Sequence, residues 1–131
     1  MRAGTIATAG LLAALAGCGT GADQDQARTA VERLYAAFAR QDGTTACAQL
    51  SPSLRQQLVK DESEPDCAKA VLKLGLKGRR ASAVRVFATS AEVDLAGGDT
   101  VYLGDGDQGW RVEALGCHRK DGGPFDCAET G

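Results

Sequence analysis

The sequence has little of what catalytic, metal and nucleic-acid sites are usually built from. Its 131 residues contain one histidine and five cysteines, and no two cysteines have the Cys-x-x-Cys spacing of a zinc site. Acidic and basic residues are interspersed without a long run of one sign, and the formal net charge is −2. We therefore predict no metal, no cofactor and no nucleic-acid partner.

No catalytic motif stands out either. His118 is interpreted as an exposed or capping residue rather than a general base, because no candidate nucleophile or orienting partner accompanies it. Asp105 and Asp107 lie in a glycine-rich stretch typical of a hairpin turn, and the places of the further calcium ligands hold Gly109 and Gly116. The sequence therefore predicts no catalytic residue and no enzymatic activity.

Long hydrophobic runs are also missing, apart from one near the start. The run from Ile6 to Ala16 follows Arg2 and is too short to cross a bilayer, which is typical of a signal peptide. It ends in Leu15-Ala16-Gly17-Cys18, which resembles the lipobox of bacterial lipoproteins. The resemblance implies cleavage after residue 17 and attachment of fatty acyl chains such as palmitate to Cys18, followed by a short tether over residues 18–25.

The number of cysteines favours lipidation over the alternatives. Ordinary secretion, with cleavage before Gly17, would leave five thiols in an oxidising compartment, whereas lipidation of Cys18 leaves an even set. A cytosolic location is the remaining alternative. We expect the protein at the outer face of the cytoplasmic membrane, held there by its lipid anchor.

Helical patterns fill the first half of the domain expected over residues 26–131. Apolar residues at positions 27, 31, 34, 35 and 38 form one helical stripe, with Asp23 or Asp25 as its cap and Asp42-Gly43 as its stop. A second helix is expected through Leu50 from a cap at Thr44 or Thr45. A turn or helix follows Ser51-Pro52, and a last helix starts at Pro65 and ends at Gly75.

The second half alternates apolar and polar residues with a period of two. This pattern predicts four strands, at positions 84–88, 92–95, 100–103 and 110–114. Short glycine-rich connectors between them favour antiparallel neighbours. Helices followed by strands predict an α+β fold with helices on one face of an antiparallel sheet.

The order of these elements resembles the NTF2-like (SnoaL-like, cystatin-like) superfamily. The resemblance rests on residues 34–39 (LYAAFA), 42–43 (DG) and 109–112 (GWRV). Further segments are similar to small actinobacterial NTF2-like lipoproteins, namely 46–50 (ACAQL), 66–68 (DCA), 116–117 (GC) and 124–127 (PFDC). The resemblance implies N-terminal helices packed on a curved antiparallel sheet of about four strands.

The same resemblance implies specific disulfides, a pocket and a mode of association. It pairs Cys47 with Cys67 and Cys117 with Cys127, although four cysteines allow three connectivities. It places Tyr35, Phe38 and Trp110 on the concave side of the sheet, where they either line a ligand pocket or fill the core. Members of the superfamily also dimerise through the sheet face, which would carry the candidate contact residues Phe87 and Tyr102.

Two functions remain open at this point. The first is a lipid-anchored, non-enzymatic module that binds a small apolar molecule or an envelope protein. The second is an NTF2-like isomerase, dehydratase or hydrolase that acts on a small hydrophobic substrate at the membrane surface. The enzyme requires an ionisable group with a perturbed pKa in a cavity, and we expect the binding module because the sequence shows no such group.

Overall fold

Helices occupy the first half of the chain and strands the second. The computed structural model describes residues 21–119 and 125–131, so the predicted signal peptide and Cys18 lie outside the described residues. The helices are α1 (Gly21–Ala39), α2 (Gly43–Ala48), α3 (Pro52–Asp61) and α4 (Cys67–Lys73). The strands are β1 (Ala81–Phe87), β2 (Ser90–Leu95), β3 (Thr100–Gly106), β4 (Gly109–Arg119), β5 (Phe125–Asp126) and β6 (Glu129–Thr130). The α+β class is confirmed.

Helix α1 carries the predicted apolar stripe but starts earlier than expected. The stripe is buried along its whole length, at Ala27, Val31, Leu34, Tyr35 and Phe38. The helix begins at Gly21, so Asp23 and Asp25 lie inside it and neither caps it. No proline interrupts this stretch, and an acidic residue in the first turn complements the positive end of the helix dipole. The C-terminal part of the predicted tether is therefore helical.

The start of α2 differs from the prediction because Asp42 takes the capping role. Its carboxylate accepts hydrogen bonds from the Thr45 amide at 3.1 Å and from the Thr45 hydroxyl at 2.6 Å. Thr44 and Thr45 therefore lie within the helix, and neither is its cap. The turn that ends α1 uses Gln41 at φ 56°, and the Asp42 amide donates to the Ala37 carbonyl at 2.9 Å. Asp42 therefore takes part in the predicted stop as well as in the cap of α2, whereas Gly43 belongs to α2.

The predicted boundaries of the next two helices are partly right. Ser51 caps α3, with Pro52 at its first position, as the sequence indicates. Helix α4 starts at Cys67 rather than at Pro65, because the Asp66 carboxylate accepts from the Ala68 amide at 2.9 Å and acts as the cap. Its end is as predicted, with Gly75 at φ 65° just past the last turn.

The four predicted strands form an antiparallel sheet in the order β1-β2-β3-β4. Two short strands extend it, β5 and β6, both paired with β4. The prediction that Ala88 continues β1 is wrong: Phe87 pairs with Ser90, and Ala88 lies in the tight turn between them at φ 53°. The short loop forces this left-handed conformation on Ala88, although the alternation of apolar and polar residues predicts that Ala88 lies in the strand.

The helices cover one face of the sheet. The buried residues of that face are Ala91, Val93, Leu95, Val101, Leu103 and Val112, which join the apolar residues of all four helices in one core. On the opposite face, Arg85 pairs with Glu92 at 2.9 Å and with Asp94 at 2.8 Å. Phe87 is 56% exposed, and β2 separates its strand from that of Tyr102, so the two rings are not adjacent.

Both disulfides implied by the resemblance are present. Cys47–Cys67 joins α2 to α4, and Cys117–Cys127 joins β4 to the segment between β5 and β6. Of the three possible connectivities, the structure has the sequential one.

Candidate ligand-binding grooves

The three predicted pocket residues are buried but do not surround one cavity. Tyr35 and Phe38 pack edge to face, with ring centroids 5.4 Å apart. Tyr35 lines a groove on one side of α1, Trp110 lines a different groove, and Phe38 lines neither. Phe38 is therefore a core residue, whereas Tyr35 and Trp110 each belong both to the core and to a groove wall.

The first groove, here the tyrosine groove, lies between α1 and the segment that leads into β1. It has a volume of about 600 Å³, and four of its lining residues, Glu32, Tyr35, Ala36 and Ala39, come from α1. The facing wall is residues 78–81. The two walls meet closely at Gly78, where an added Cβ would lie 2.9 Å from the Cβ of Ala39.

The Tyr35 hydroxyl is the chemical feature of this groove. The side chain is 1% exposed, and its hydroxyl has no hydrogen-bond partner among the described residues. Burial raises the pKa of Tyr35 to about 12, with a further increase from the Asp99 carboxylate and an opposing effect of Arg79. The hydroxyl therefore stays protonated at neutral pH and is able to donate a hydrogen bond.

Charged residues frame the same groove. Arg79 forms an ion pair with Asp99 at 3.6 Å, and Glu32 lies 3.9 Å from Arg28 of the same helix. Arg80 also lines the groove, is exposed, and forms no ion pair within the described part of the chain. The tyrosine groove thus combines a floor rich in alanine with the neutral hydroxyl donor of Tyr35 and the free guanidinium of Arg80.

The second groove, here the tryptophan groove, lies between the N-terminal half of α1 and the β3–β4 hairpin. Its volume is about 340 Å³. Trp110 is 3% exposed and its indole N–H has no partner among the described residues; the Nε of Arg111 is buried and unpaired in the same way. Arg33 of α1 and Gln49 after α2 also line the groove, as do further polar residues, namely Asp25, Gln26, Thr29 and Gln108.

A third groove adjoins the hairpin. It is lined by residues 51–53 and by the β3–β4 hairpin, including Asp105, Asp107, Arg111 and Glu113, and its volume is about 430 Å³. Both aspartates are exposed. Asp107 lies in the turn, as predicted, whereas the prediction for Asp105 is wrong, because Asp105 lies in β3 and pairs with Trp110. Within residues 21–119 and 125–131, no three metal-ligating side chains come together.

His118 lies on β4 opposite Asp126 of β5. The imidazole Nε2 is 3.8 Å from a carboxylate oxygen of Asp126, and both side chains are about half exposed. His118 lines none of the three grooves.

Sequence reasoning missed the arginines of both grooves. Arg79 and Arg80 follow Gly78 as a basic pair, which was a usable signal for a charged groove wall. Arg33 and Arg111 carry no such signal, because they are 78 positions apart in sequence and only the packing of α1 against the hairpin brings them to one groove.

Comparison with known proteins gives no match: no family model, no curated protein and no solved structure shows significant similarity to this chain. Among the described helices, none is both long enough and apolar enough to cross a membrane.

Proposed function

We propose that this chain is a lipid-anchored, non-enzymatic binding module of NTF2-like fold at the outer face of the cytoplasmic membrane, and that its tyrosine groove holds a small, largely apolar ligand. The anchor rests on the lipobox-like segment that ends in Cys18. Two disulfides support an oxidising, extracytoplasmic environment.

The observation that carries the ligand site is the unpaired hydroxyl of Tyr35. A buried hydroxyl without a partner costs free energy, and a bound acceptor in the groove would recover it. The neighbouring Ala36, Ala39 and Ala81 offer apolar contact area. A ligand that is mostly apolar and carries one acceptor matches this lining.

The enzymatic alternative has less support from the same groove. A general base needs a pKa close to the working pH. The displaced pKa in this groove is that of Tyr35, and burial moves it upward, away from neutrality. Tyr35 therefore suits the role of a fixed hydrogen-bond donor, which favours binding over proton abstraction.

The ligand site is tested with Nile red, a neutral, largely apolar fluorescent dye that carries a carbonyl acceptor, added to the chain from residue 18 with Cys18→Ser. This chain includes every described residue. Ala36→Trp places a large ring on the groove floor and should abolish most of the dye fluorescence, and Tyr35→Phe should weaken binding about fivefold through loss of one hydrogen bond. Gln24→Trp, at an exposed α1 position outside the three grooves, is the matched control. Equal dye binding by Ala36→Trp and Gln24→Trp would refute the site.

The anchor is tested separately, so that either part of the proposal can fail alone. Mass spectrometry of the membrane fraction should find a mature chain that begins with a diacylglyceryl-modified Cys18. Cys18→Ser should move the protein to the soluble fraction. A mature chain that starts at Gly17, or a Cys18 that is bare or disulfide-bonded, would contradict lipidation.

A further inference from the structure

The tryptophan groove presents hydrogen-bond donors that lack acceptors. The Trp110 indole N–H and the Arg111 Nε are both buried without a partner. One terminal nitrogen of Arg111 donates to the backbone carbonyl of Trp110 at 2.9 Å. Neither an indole nor a guanidinium is able to accept a hydrogen bond. Any partner that satisfies both groups must therefore supply acceptors.

The charge of the lining points to an anion. Arg33 and Arg111 form no ion pair with any described residue, whereas Arg28, Arg79 and Arg85 each do. Asp25 is the single carboxylate among the described lining residues. Two guanidinium groups in one groove attract a negatively charged group, although Arg111 also lines the third groove, with Asp105, Asp107 and Glu113.

The arrangement favours phosphate over carboxylate. A planar carboxylate is satisfied by one bidentate arginine, whereas a tetrahedral phosphate accepts from donors on several sides. Here the donors come from both walls, with Arg33 on α1 and Trp110 and Arg111 on β4. We infer that the tryptophan groove is a binding site for the phosphate of an anionic ligand.

The position of the groove suggests where this phosphate comes from. Asp25 and Gln26 line it, and they follow Cys18 by only seven and eight residues. The stretch from Cys18 to Asp25 consists of residues 18–20 and the first turn of α1. Even with residues 18–20 fully extended, it spans at most about 16 Å. If Cys18 is lipidated, as proposed above, the groove lies within reach of phospholipid headgroups. The phosphate site itself does not depend on the anchor, since a soluble phosphate compound has the same chemistry.

Trp110 is the one tryptophan of the chain and therefore reports binding directly. The chain from residue 18 with Cys18→Ser is titrated with inorganic phosphate at constant ionic strength, and separately with vesicles of phosphatidylcholine containing one quarter phosphatidylglycerol. Pure phosphatidylcholine vesicles are titrated for comparison. We expect Trp110 emission to change with phosphate and with the anionic vesicles, and phosphate to compete with the vesicles.

Variants then assign the signal to the groove. Arg33→Gln and Arg111→Gln should each weaken phosphate binding about tenfold, because each removes a charge-assisted hydrogen bond. Arg40→Gln, which removes an exposed arginine outside the three grooves, is the matched control and should bind phosphate as the parent chain does. Arg33 is an exposed helix residue, so its variant is expected to fold even if Arg111→Gln does not.

Each outcome decides the inference. No emission change with either probe, or equal phosphate affinity in Arg33→Gln and the parent chain, overturns it. A phosphate response that Arg33→Gln weakens supports the site. The vesicle titration then identifies its source: a response to either kind of vesicle indicates a lipid headgroup, whose phosphate both lipids contain, and no response to vesicles indicates a soluble phosphate compound. Loss of this site would leave the dye experiment on the tyrosine groove unaffected.

Discussion

Gly43 at the start of α2 packs directly against the backbone carbonyl of Ala68 in α4, leaving no room for a side chain at that position. The contact lies near the Cys47–Cys67 disulfide, which joins the same two helices. Close approach of the backbones and the covalent link therefore fix one helix pair, and this pair closes one end of the core.

Substitution of Gly43 should separate these helices. In Gly43→Ala the new Cβ would collide with backbone, which cannot move aside as a side chain would, and we expect a loss of about 2 to 3 kcal/mol in the free energy of unfolding. Urea denaturation measures it. Gly106→Ala, where an added Cβ meets open space, is the control and should cost less than 1 kcal/mol. Equal stability of the two variants would argue against the close approach.

The Cys47–Cys67 disulfide should contribute a large part of the stability. It closes a loop between residues 20 positions apart, and loss of such a link costs about 3 kcal/mol. The double variant Cys47→Ala/Cys67→Ala should therefore show a clearly lower midpoint of denaturation. Removal of the Cys117–Cys127 pair, 10 positions apart, should cost slightly less on the same model. Unchanged midpoints would show that packing alone holds α2 and α4 together.

The cap of α2 should be visible in the titration of Asp42. The hydroxyl and then the amide of Thr45 hydrogen-bond its carboxylate, and both lower the pKa of Asp42. A lowered folded-state pKa stabilises the fold at pH values above the ordinary aspartate pKa, and this contribution is lost as the pH falls through the folded-state pKa. Thr45→Val should raise the pKa of Asp42, measured by carboxyl carbon NMR. Thr44→Val, at an exposed neighbouring position, should not change it.

Glu129 should oppose folding at neutral pH. It is 7% exposed, and burial is the main cause of its raised pKa, followed by the charges of Asp61 and Glu62. With a raised folded-state pKa, its favourable contribution is present below the ordinary glutamate pKa and is lost as the pH rises through the folded-state value. Glu129→Gln should therefore be more stable than the parent chain at pH 7, with a gain that shrinks on acidification. Glu32→Gln, an exposed control, should show no such pH-dependent gain.

Replacement of Ala88 by glycine should stabilise the fold. Its φ of 53° is unfavourable for a residue with a Cβ, so Ala88→Gly should raise the free energy of unfolding by about 0.5 to 1 kcal/mol. Ala83→Gly, within β1, should have the opposite sign because glycine weakens a strand. Thermal denaturation compares them. Destabilisation by both would indicate that the turn does not need a left-handed residue.

Much of the fold followed from local pattern. The stripe on α1 and the two-residue alternation of the strands were predicted correctly because each follows a repeat of the backbone. The serine and proline at the start of α3 and the glycine after α4 were also predicted correctly, because each suits the local backbone conformation of a helix end. The errors at Asp42, Asp66 and Ala88 have another origin. Several neighbouring residues at each site were able to cap a helix or to form a turn. The hydrogen bonds that form in the folded chain determine which of them does so.

The grooves were harder to predict from the sequence than the helices and strands. Tyr35, Phe38 and Trp110 were expected on one concave surface, yet α1 lies between the groove of Tyr35 and that of Trp110. Composition identifies aromatic residues that will be buried. The packing of elements that are distant in the chain decides which of these residues also line a groove.

The sequence by itself determined the order of helices and strands and the buried face of each, since hydrophobic periodicity is a local property of the chain. Only the tertiary structure decided which cysteines joined and which polar groups were left unpaired, at Tyr35, Trp110 and Arg111. Those outcomes depend on distances between residues far apart in the chain, and such distances exist only after the helices have packed on the sheet.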